Sequence, residues 1–240
     1  MIDGGIVMWQ LGREKIPAEW EAATGYAAFL STVFRTMAGG VLVTAGAAEF
    51  VAHAAPVRSI LFGDGVLNGL GWILLLAPLG LVFWLSSRIQ HLSLGAARAL
   101  FILYAALVGL SLGLVFQAYA SAKIASAFLG SAAGFSALAI YGAITRRRLS
   151  GIGAFLTMAL VGLLAGSVVN LFIRGTMFET LLALAGVLIF AGLTAFDMRQ
   201  LRQCYEDGAG GPRPAILGAL SLYLDLLNLF LSLLRLTRRR

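Results

Sequence analysis

Long apolar runs separated by short polar connections make up most of this chain after Tyr26. A helix needs about 20 mainly apolar residues to cross a bilayer, and seven stretches have that length. Their predicted bounds are 32–54, 66–87, 99–118, 124–144, 152–172, 178–198 and 215–236. The pattern therefore predicts an all-α polytopic membrane protein built as a bundle of seven transmembrane helices.

The same pattern divides the chain into three parts. Residues 1–31 are predicted to form an N-terminal tail, residues 32–236 the seven-helix transmembrane domain, and residues 237–240 a short basic tail. The connections between apolar runs are too short to hold a second soluble domain. One helical bundle therefore accounts for almost the whole chain.

The last apolar run carries a line of polar or small side chains, which we call the polar stripe. Its members are Gly218, Ser221, Asp225, Asn228, Ser232 and Arg235. Spacings of three and four residues place them on one face of a helix. Because a carboxylate at the bilayer centre costs about 2.5–3.5 kcal/mol, this face is predicted to turn towards other helices or a wet cavity. The C-terminal helix is therefore predicted to lie at the centre of the bundle.

Two aspartates are the candidate functional residues. Asp225 lies about 16 Å along its helix from Pro214, near mid-membrane, and Asp197 ends the preceding apolar run. Two carboxylates sharing a site of low dielectric would bind one proton jointly, which makes such a pair sensitive to pH. Asp197 is shallower and is followed by Arg199 and Arg202, so an ordinary solvated residue is the alternative reading. Spacing alone leaves open whether the two aspartates meet.

Composition agrees with a membrane protein. Hydrophobic residues make up 60% of the chain and charged residues 12%, whereas charged residues are about a quarter of a soluble domain. The net charge of +7 lies mostly in short connections between apolar runs, as the positive-inside rule predicts. We therefore expect the lipid bilayer, and no nucleic acid, to be the partner of these charges.

The basic residues also predict orientation. Lysines and arginines are concentrated in the N-terminal segment and in every second connection: Arg13, Lys15, Arg35, Arg88, Arg98, Arg146, Arg147, Arg148, Arg199, Arg202 and Arg213. The remaining connections carry only Arg58, Lys123 and Arg174. This bias predicts a cytoplasmic N-terminus. Seven crossings then place the C-terminus outside, although it carries four arginines, and we expect the upstream connections to dominate.

Small residues recur at the spacing of close helix packing. They form three pairs: Gly65 and Gly69, Gly109 and Gly113, and Gly162 and Gly166. Such pairs allow two backbones to approach in lipid. Gly109-Leu-Ser-Leu-Gly113 also matches the nucleophile elbow of hydrolases, but that motif needs a strand, a turn and a helix. Packing is therefore the predicted role, and no enzyme and no cofactor are expected.

The aspartates also suggest a comparison with intramembrane aspartyl proteases, whose paired acids share a proton. That family shows Tyr-Asp followed by Gly-x-Gly-Asp. This chain has Phe196-Asp197 and Tyr223-Leu224-Asp225. Because the glycines are missing, this is the less favoured alternative.

Four runs together carry a resemblance to a known family. They are YAALVGLSLG at 104–113, the run from 153 to 170, GVLIFAGLTAFD at 186–197 and LSLYLDLLNLF at 220–230. With them, the chain from residue 33 onwards resembles the Bax-inhibitor family of transmembrane proteins, in its bacterial branch. The resemblance implies a seven-helix fold of the bacterial inner membrane, with the last helix wrapped by the other six.

The resemblance also implies roles for the aspartates. Asp197 and Asp225 match the family's di-aspartyl pH sensor, a pair proposed to control a calcium leak. In bacterial relatives an arginine at the end of helix two latches to the first aspartate. Here Ser86 stands at the matching position, and Arg88, two residues further on, is the candidate latch.

Two functions follow from these observations. The first is a calcium-permeable leak in which Asp197 and Asp225 bind calcium weakly, since a tight site needs six or more oxygens and the chain has no EF-hand loop. Ser221, Asn228 and Ser232 line the same stripe. The second is a non-conducting regulator of a membrane-bound protease or a stress response, which would bind its partner through the N-terminal tail. The sequence does not choose between them.

Overall fold

A computed structural model describes residues 18–54, 62–63, 66–88, 92–145, 150–173 and 175–237. This part of the chain contains seven α-helices: α1 Ala18–His53, α2 Gly69–Arg88, α3 Leu94–Phe116, α4 Ser121–Ile144, α5 Ser150–Ile173, α6 Thr176–Cys204 and α7 Pro212–Thr237. Two short strands, β1 Phe62–Gly63 and β2 Val66–Leu67, pair antiparallel between α1 and α2. Six helices are long and apolar enough to cross a membrane, and α2 contributes the shorter apolar stretch Gly69–Val82. The prediction of an all-α polytopic membrane protein is confirmed.

The start of α1 and the end of α6 differ most from the predicted bounds, and α3 begins five residues earlier than the predicted 99, at Leu94. Helix α1 begins at Ala18, not near residue 32, so the segment predicted as the end of a tail is helical. Alanine and glutamate favour helix formation, so these turns can be helical. They were not predicted as part of the helix because Glu19 and Glu21 interrupt the apolar pattern. Helix α6 continues to Cys204 and then through a π-helical turn, Tyr205–Ala209. Within that turn Gly208 has a φ of 76°, a conformation that glycine adopts without steric cost.

Helix α7 is the central element of the bundle. In the most apolar stretch of α7, 67% of the residues are buried inside the protein. The same share is at most 50% in the other five long apolar helices of the described chain, and only 11% in α5. Helix α7 packs mainly against α1, α3, α4 and α6, while α2 packs mainly against α3 and α5 mainly against α6. The predicted central position of the C-terminal helix is therefore confirmed. Helices α1, α3, α4 and α6 make most of its contacts, while α2 and α5 pack mainly against α3 and α6.

The glycine pair on α3 brings two backbones together. A Cβ built at Gly113 would lie 2.6 Å from the Cβ of Val51 and 2.8 Å from the carbonyl oxygen of Ala48, both on α1. A Cβ at Gly109 would meet the backbone of Thr44 on the same helix. These glycines therefore allow α1 and α3 to pack closely, as the spacing predicts.

The other two glycine pairs do not act in the same way. Gly166 packs against Leu182, but Gly162 has nothing within 4 Å of a built Cβ. Gly69 also faces open space, and Gly65 lies outside the described residues. Because α5 contacts mainly α6, one of its glycines faces outwards although the spacing matches that of Gly109 and Gly113.

A buried hydrogen-bond chain fixes α7 against α1 and α3. The ring of Tyr223 is fully buried and meets Phe101 and Tyr104 edge to face, at centroid distances of 5.6 and 5.9 Å. The Thr44 hydroxyl donates to the carbonyl oxygen of Ala105 at 2.9 Å and also pairs with the Tyr223 hydroxyl. Since the threonine has one proton to give, the tyrosine is the donor of the second bond.

Candidate functional site

The polar stripe of α7 faces α6. The Ser221 side chain hydrogen-bonds to the carboxylate of Asp197. One end of the stripe, Gly218, packs against Leu201, and Ser232 near the other end packs against Gly186. The contacts move backwards along α6 as they move forwards along α7, which is the pattern of an antiparallel pair. The stripe therefore lies against a neighbouring helix and away from lipid.

This packing brings the two predicted aspartates together. Asp225 is 5% exposed and its carboxylate is close enough to Asp197 for the two to interact electrostatically. Asp197 accepts the hydrogen bond from Ser221. In the described part of the chain, Oδ2 of Asp225 is buried without a hydrogen-bond partner. The site is thus a carboxylate pair in which one buried oxygen receives no hydrogen bond from the described residues, and a buried carboxylate oxygen is costly in an apolar interior unless a donor or a cation meets it.

The donor set suits a weakly held hard cation. The pair offers carboxylate oxygens and one hydroxyl, which are ligands that calcium accepts, but a tight calcium site takes six to eight oxygens. No group of three or more histidine, cysteine, aspartate or glutamate side chains forms a metal site among the described residues. The arrangement therefore fits transient coordination with water completing the shell.

Arginines do not neutralise the pair in the described residues. Arg202 donates from Nε to Glu206 at 2.7 Å and from Nη1 to the carbonyl oxygen of Ala143 at 2.8 Å. Nη1 of Arg199 lies 3.9 Å from the same glutamate. Glu206 thus interacts with both Arg199 and Arg202. Asp197 therefore does not form ion pairs with the two arginines that follow it in the sequence. The i,i+4 spacing of Arg202 and Glu206 was the available sequence signal.

The candidate latch, Arg88, makes no ion pair with the aspartates in the described part of the chain. The Arg88 side chain is exposed at the end of α2, and no ion pair joins it to Asp197 where the structure describes both side chains. The side chain of Ser86 lies outside the described part of the chain. Helix α2 packs mainly against α3. A latch formed by Arg88 stays a prediction.

The remaining polar residues of the stripe bond within their own helix. Nδ2 of Asn228 donates to the carbonyl oxygen of Leu224 at 2.8 Å, and Ser232 donates to the carbonyl oxygen of Asn228 at 2.7 Å. These bonds satisfy polar groups that an apolar environment would otherwise penalise. Within the stripe, Ser221 is the residue that contacts the pair directly.

The motif that matches a hydrolase elbow has a packing role. Ser111 lies inside α3, and its hydroxyl is 2.8 Å from the carbonyl oxygen of Leu74 and 2.9 Å from that of Leu107. It therefore helps to join α2 to α3. The strand and sharp turn that a nucleophile elbow needs are absent from α3, which is helical on both sides of this serine.

Comparisons with known proteins show which proteins this chain is similar to. The family model described as inhibitor of apoptosis-promoting Bax1 matches residues 26–240. The inner membrane protein YbhL of Escherichia coli K12 is 41% identical over 222 residues, which cover 90% of this chain and 93% of that protein. An uncharacterized protein of Deinococcus radiodurans is 37% identical over 219 residues, or 88% of this chain and 90% of the relative. An uncharacterized protein of Borreliella burgdorferi is 34% identical over 217 residues, or 88% and 92%.

Proposed function

The chain belongs to the Bax-inhibitor family of membrane proteins, and on this premise we propose that it is a pH-sensitive, calcium-permeable leak of the bacterial inner membrane. Asp197 and Asp225 act as its sensor and as weak ligands of the passing ion. The observation that carries this proposal is the pair of interacting carboxylates between α6 and α7, one of them with a buried oxygen that no described residue meets with a hydrogen bond.

The physical basis is competition between two kinds of positive charge. Two carboxylates held together at low dielectric repel each other, so the site is stabilised when it binds either a proton or a cation. A proton and calcium occupy the same oxygens and exclude each other. Calcium binding at the pair is therefore expected to weaken as the pH falls.

Calcium flux into proteoliposomes tests the proposal. Purified protein is reconstituted around a calcium-sensitive dye, and the initial rate of uptake is measured between pH 6 and 8. We expect flux above that of empty liposomes, with a rate that changes across this range. Flux equal to that of empty liposomes at every pH overturns the leak.

Substitution of Asp225 tests whether the aspartate pair causes the pH dependence of the flux. Asp225→Asn keeps the shape of the side chain but removes the charge, so the flux should lose its pH dependence. Asp207→Asn is the matched control, because Asp207 is exposed in the π-helical turn that follows α6. A pH profile of Asp225→Asn that equals the wild type overturns the sensor role even if calcium flux is present.

A non-conducting regulator is the second candidate, and the surface of α5 favours it. This helix packs mainly against α6, and large apolar side chains such as Phe155, Met158 and Phe172 are between 69% and 83% exposed. Such a face suits either lipid or the helices of a membrane-bound protease. Photo-crosslinking from a probe at position 158 should capture the protease under this hypothesis. Calcium flux without any crosslinked protein favours the leak.

A further inference from the structure

A cavity lies beside α7 on a face that the aspartate pair does not use. It has a volume of about 790 Å³ and opens between α1, α3, α4 and α7, at the end of the bundle where α1 ends. Its size is that of a site for a drug-sized organic molecule, since such sites measure about 300–1,000 Å³. The stripe with Asp225 faces α6, whereas Leu227 and Phe230 of α7 line this cavity. The two sites therefore use different faces of the same helix.

The wall of the cavity is aromatic on three of its four helices. Phe116 of α3, Phe128 of α4 and Phe230 of α7 all line it. The Phe230 ring meets Phe116 at a centroid distance of 5.8 Å and Phe128 at 6.1 Å, both edge to face. Thr44, a polar residue of the wall, already bonds to Ala105 and Tyr223. The interior is therefore apolar and aromatic in character.

The rim supplies a carboxylate. Glu49 and His53 line the cavity from the last turns of α1, and Oε1 of the glutamate is 3.2 Å from Nδ1 of the histidine. Both side chains are about three-quarters exposed, so a ligand can reach them. Gln117, Tyr119 and Ser121 also line the cavity and add polar groups without charge. Of the described residues that line the cavity, Glu49 alone provides an acidic group.

We propose that this cavity binds a hydrophobic organic cation. Aromatic rings attract cations through their quadrupole, and a single carboxylate at the rim provides the complementary charge. An apolar body would fill the space between the phenylalanines, while an ammonium or phosphonium group would lie towards Glu49. This inference does not rest on the proposed leak.

Binding of radiolabelled tetraphenylphosphonium to the protein in nanodiscs tests the inference. The probe is a hydrophobic cation, and empty nanodiscs measure its partition into lipid. We expect saturable binding at one site per protein. Tetraphenylborate, an anion of the same shape, should compete poorly. Competition by this anion thus shows whether the cavity recognises the positive charge of the probe or only its apolar bulk.

Two substitutions locate the site. Glu49→Gln removes the rim charge, and Phe128→Leu removes a ring while keeping apolar bulk; each should weaken binding by about tenfold. Glu179→Gln is the control, since Glu179 lies in the first turn of α6 and does not line the cavity. Glu49 is exposed, so its variant should keep the wild-type fold, which circular dichroism and gel filtration verify.

Three results would overturn the inference. The first is the absence of saturable binding above that of empty nanodiscs. The second is equal competition by tetraphenylborate, which would identify an apolar cavity for lipid chains. The third is unchanged binding by Glu49→Gln, which would place the probe elsewhere on the protein.

Discussion

At the scale of single residues, Asp197 and Asp225 differ in how they are supported. Asp197 accepts a hydrogen bond from Ser221, whereas an oxygen of Asp225 has no donor among the described residues. A bond to a carboxylate stabilises its charged form. Ser221 is therefore a positioning residue that helps to set the pH at which the pair takes up a proton.

Replacing that donor should shift the pH response. Without the hydroxyl of Ser221, the charged form of Asp197 loses a bond and a proton binds more readily. In Ser221→Ala, the midpoint of the pH-dependent calcium flux should move upwards by about one pH unit. The measurement is uptake into proteoliposomes from pH 6 to 9. Ser232→Ala is the control, since Ser232 bonds within α7, and a similar shift in both variants contradicts the role of Ser221.

A second residue-scale prediction concerns the bond between Tyr223 and Thr44. These hydroxyls join α7 to α1 in a buried environment, where a hydrogen bond contributes about 1 kcal/mol. A double-mutant cycle of Tyr223→Phe and Thr44→Val should give a coupling of about that size in the free energy of unfolding. Denaturation in detergent micelles, followed by circular dichroism, measures it. Strictly additive effects of the two substitutions would show that the bond contributes nothing.

At the scale of helices, glycines with the same spacing should respond differently to alanine. Gly109 lies against the backbone of Thr44, whereas Gly162 faces open space. Gly109→Ala should separate α1 from α3 and reduce the free energy of unfolding by about 1–3 kcal/mol. Gly162→Ala should be neutral or slightly stabilising, because alanine favours a helix more than glycine does. Thermal denaturation compares them, and equal losses would contradict the different packing.

The helices could be predicted from the sequence to the extent that they are apolar. Runs of 20 or more apolar residues revealed all seven, because a membrane requires that length whatever the tertiary fold. The first turns of α1 were missed, since Glu19 and Glu21 interrupt the apolar pattern. The sequence did not reveal which helices pack together. The glycine pairs that start at Gly109 and Gly162 have the same spacing, but only Gly109 lies against a neighbouring helix.

The candidate site could be predicted in its members but not in its contacts. The stripe on α7 follows from a spacing of three and four residues, which a helix fixes locally. The meeting of Asp197 with Asp225 depends on the register between two antiparallel helices, which packing such as Ser232 against Gly186 sets. The engagement of Arg202 by Glu206 and the cavity beside Phe230 likewise require the folded bundle.

At the scale of the whole molecule, the course of α7 bears on the topology. This helix runs without interruption over Pro212–Thr237, and 26 residues at 1.5 Å each span about 39 Å, more than the hydrocarbon core of a bilayer. Its side chains are buried or half-buried from Ala215 to Leu234, and Arg235 is exposed beyond them. A continuous, central helix of this length favours full crossing, in spite of the arginines that follow it.

Cysteine labelling tests the resulting orientation. In a Cys204→Ser background, single cysteines replace exposed Ala118 between α3 and α4, exposed Gln203 at the end of α6, and Thr237 at the end of α7. With a cytoplasmic N-terminus and seven crossings, a membrane-impermeant maleimide should label Ala118→Cys and Thr237→Cys in intact cells. Gln203→Cys should react only after permeabilisation, which also controls for its reactivity. Labelling of Thr237→Cys only after permeabilisation would mean that the four arginines hold the C-terminus inside and that the number of crossings is even.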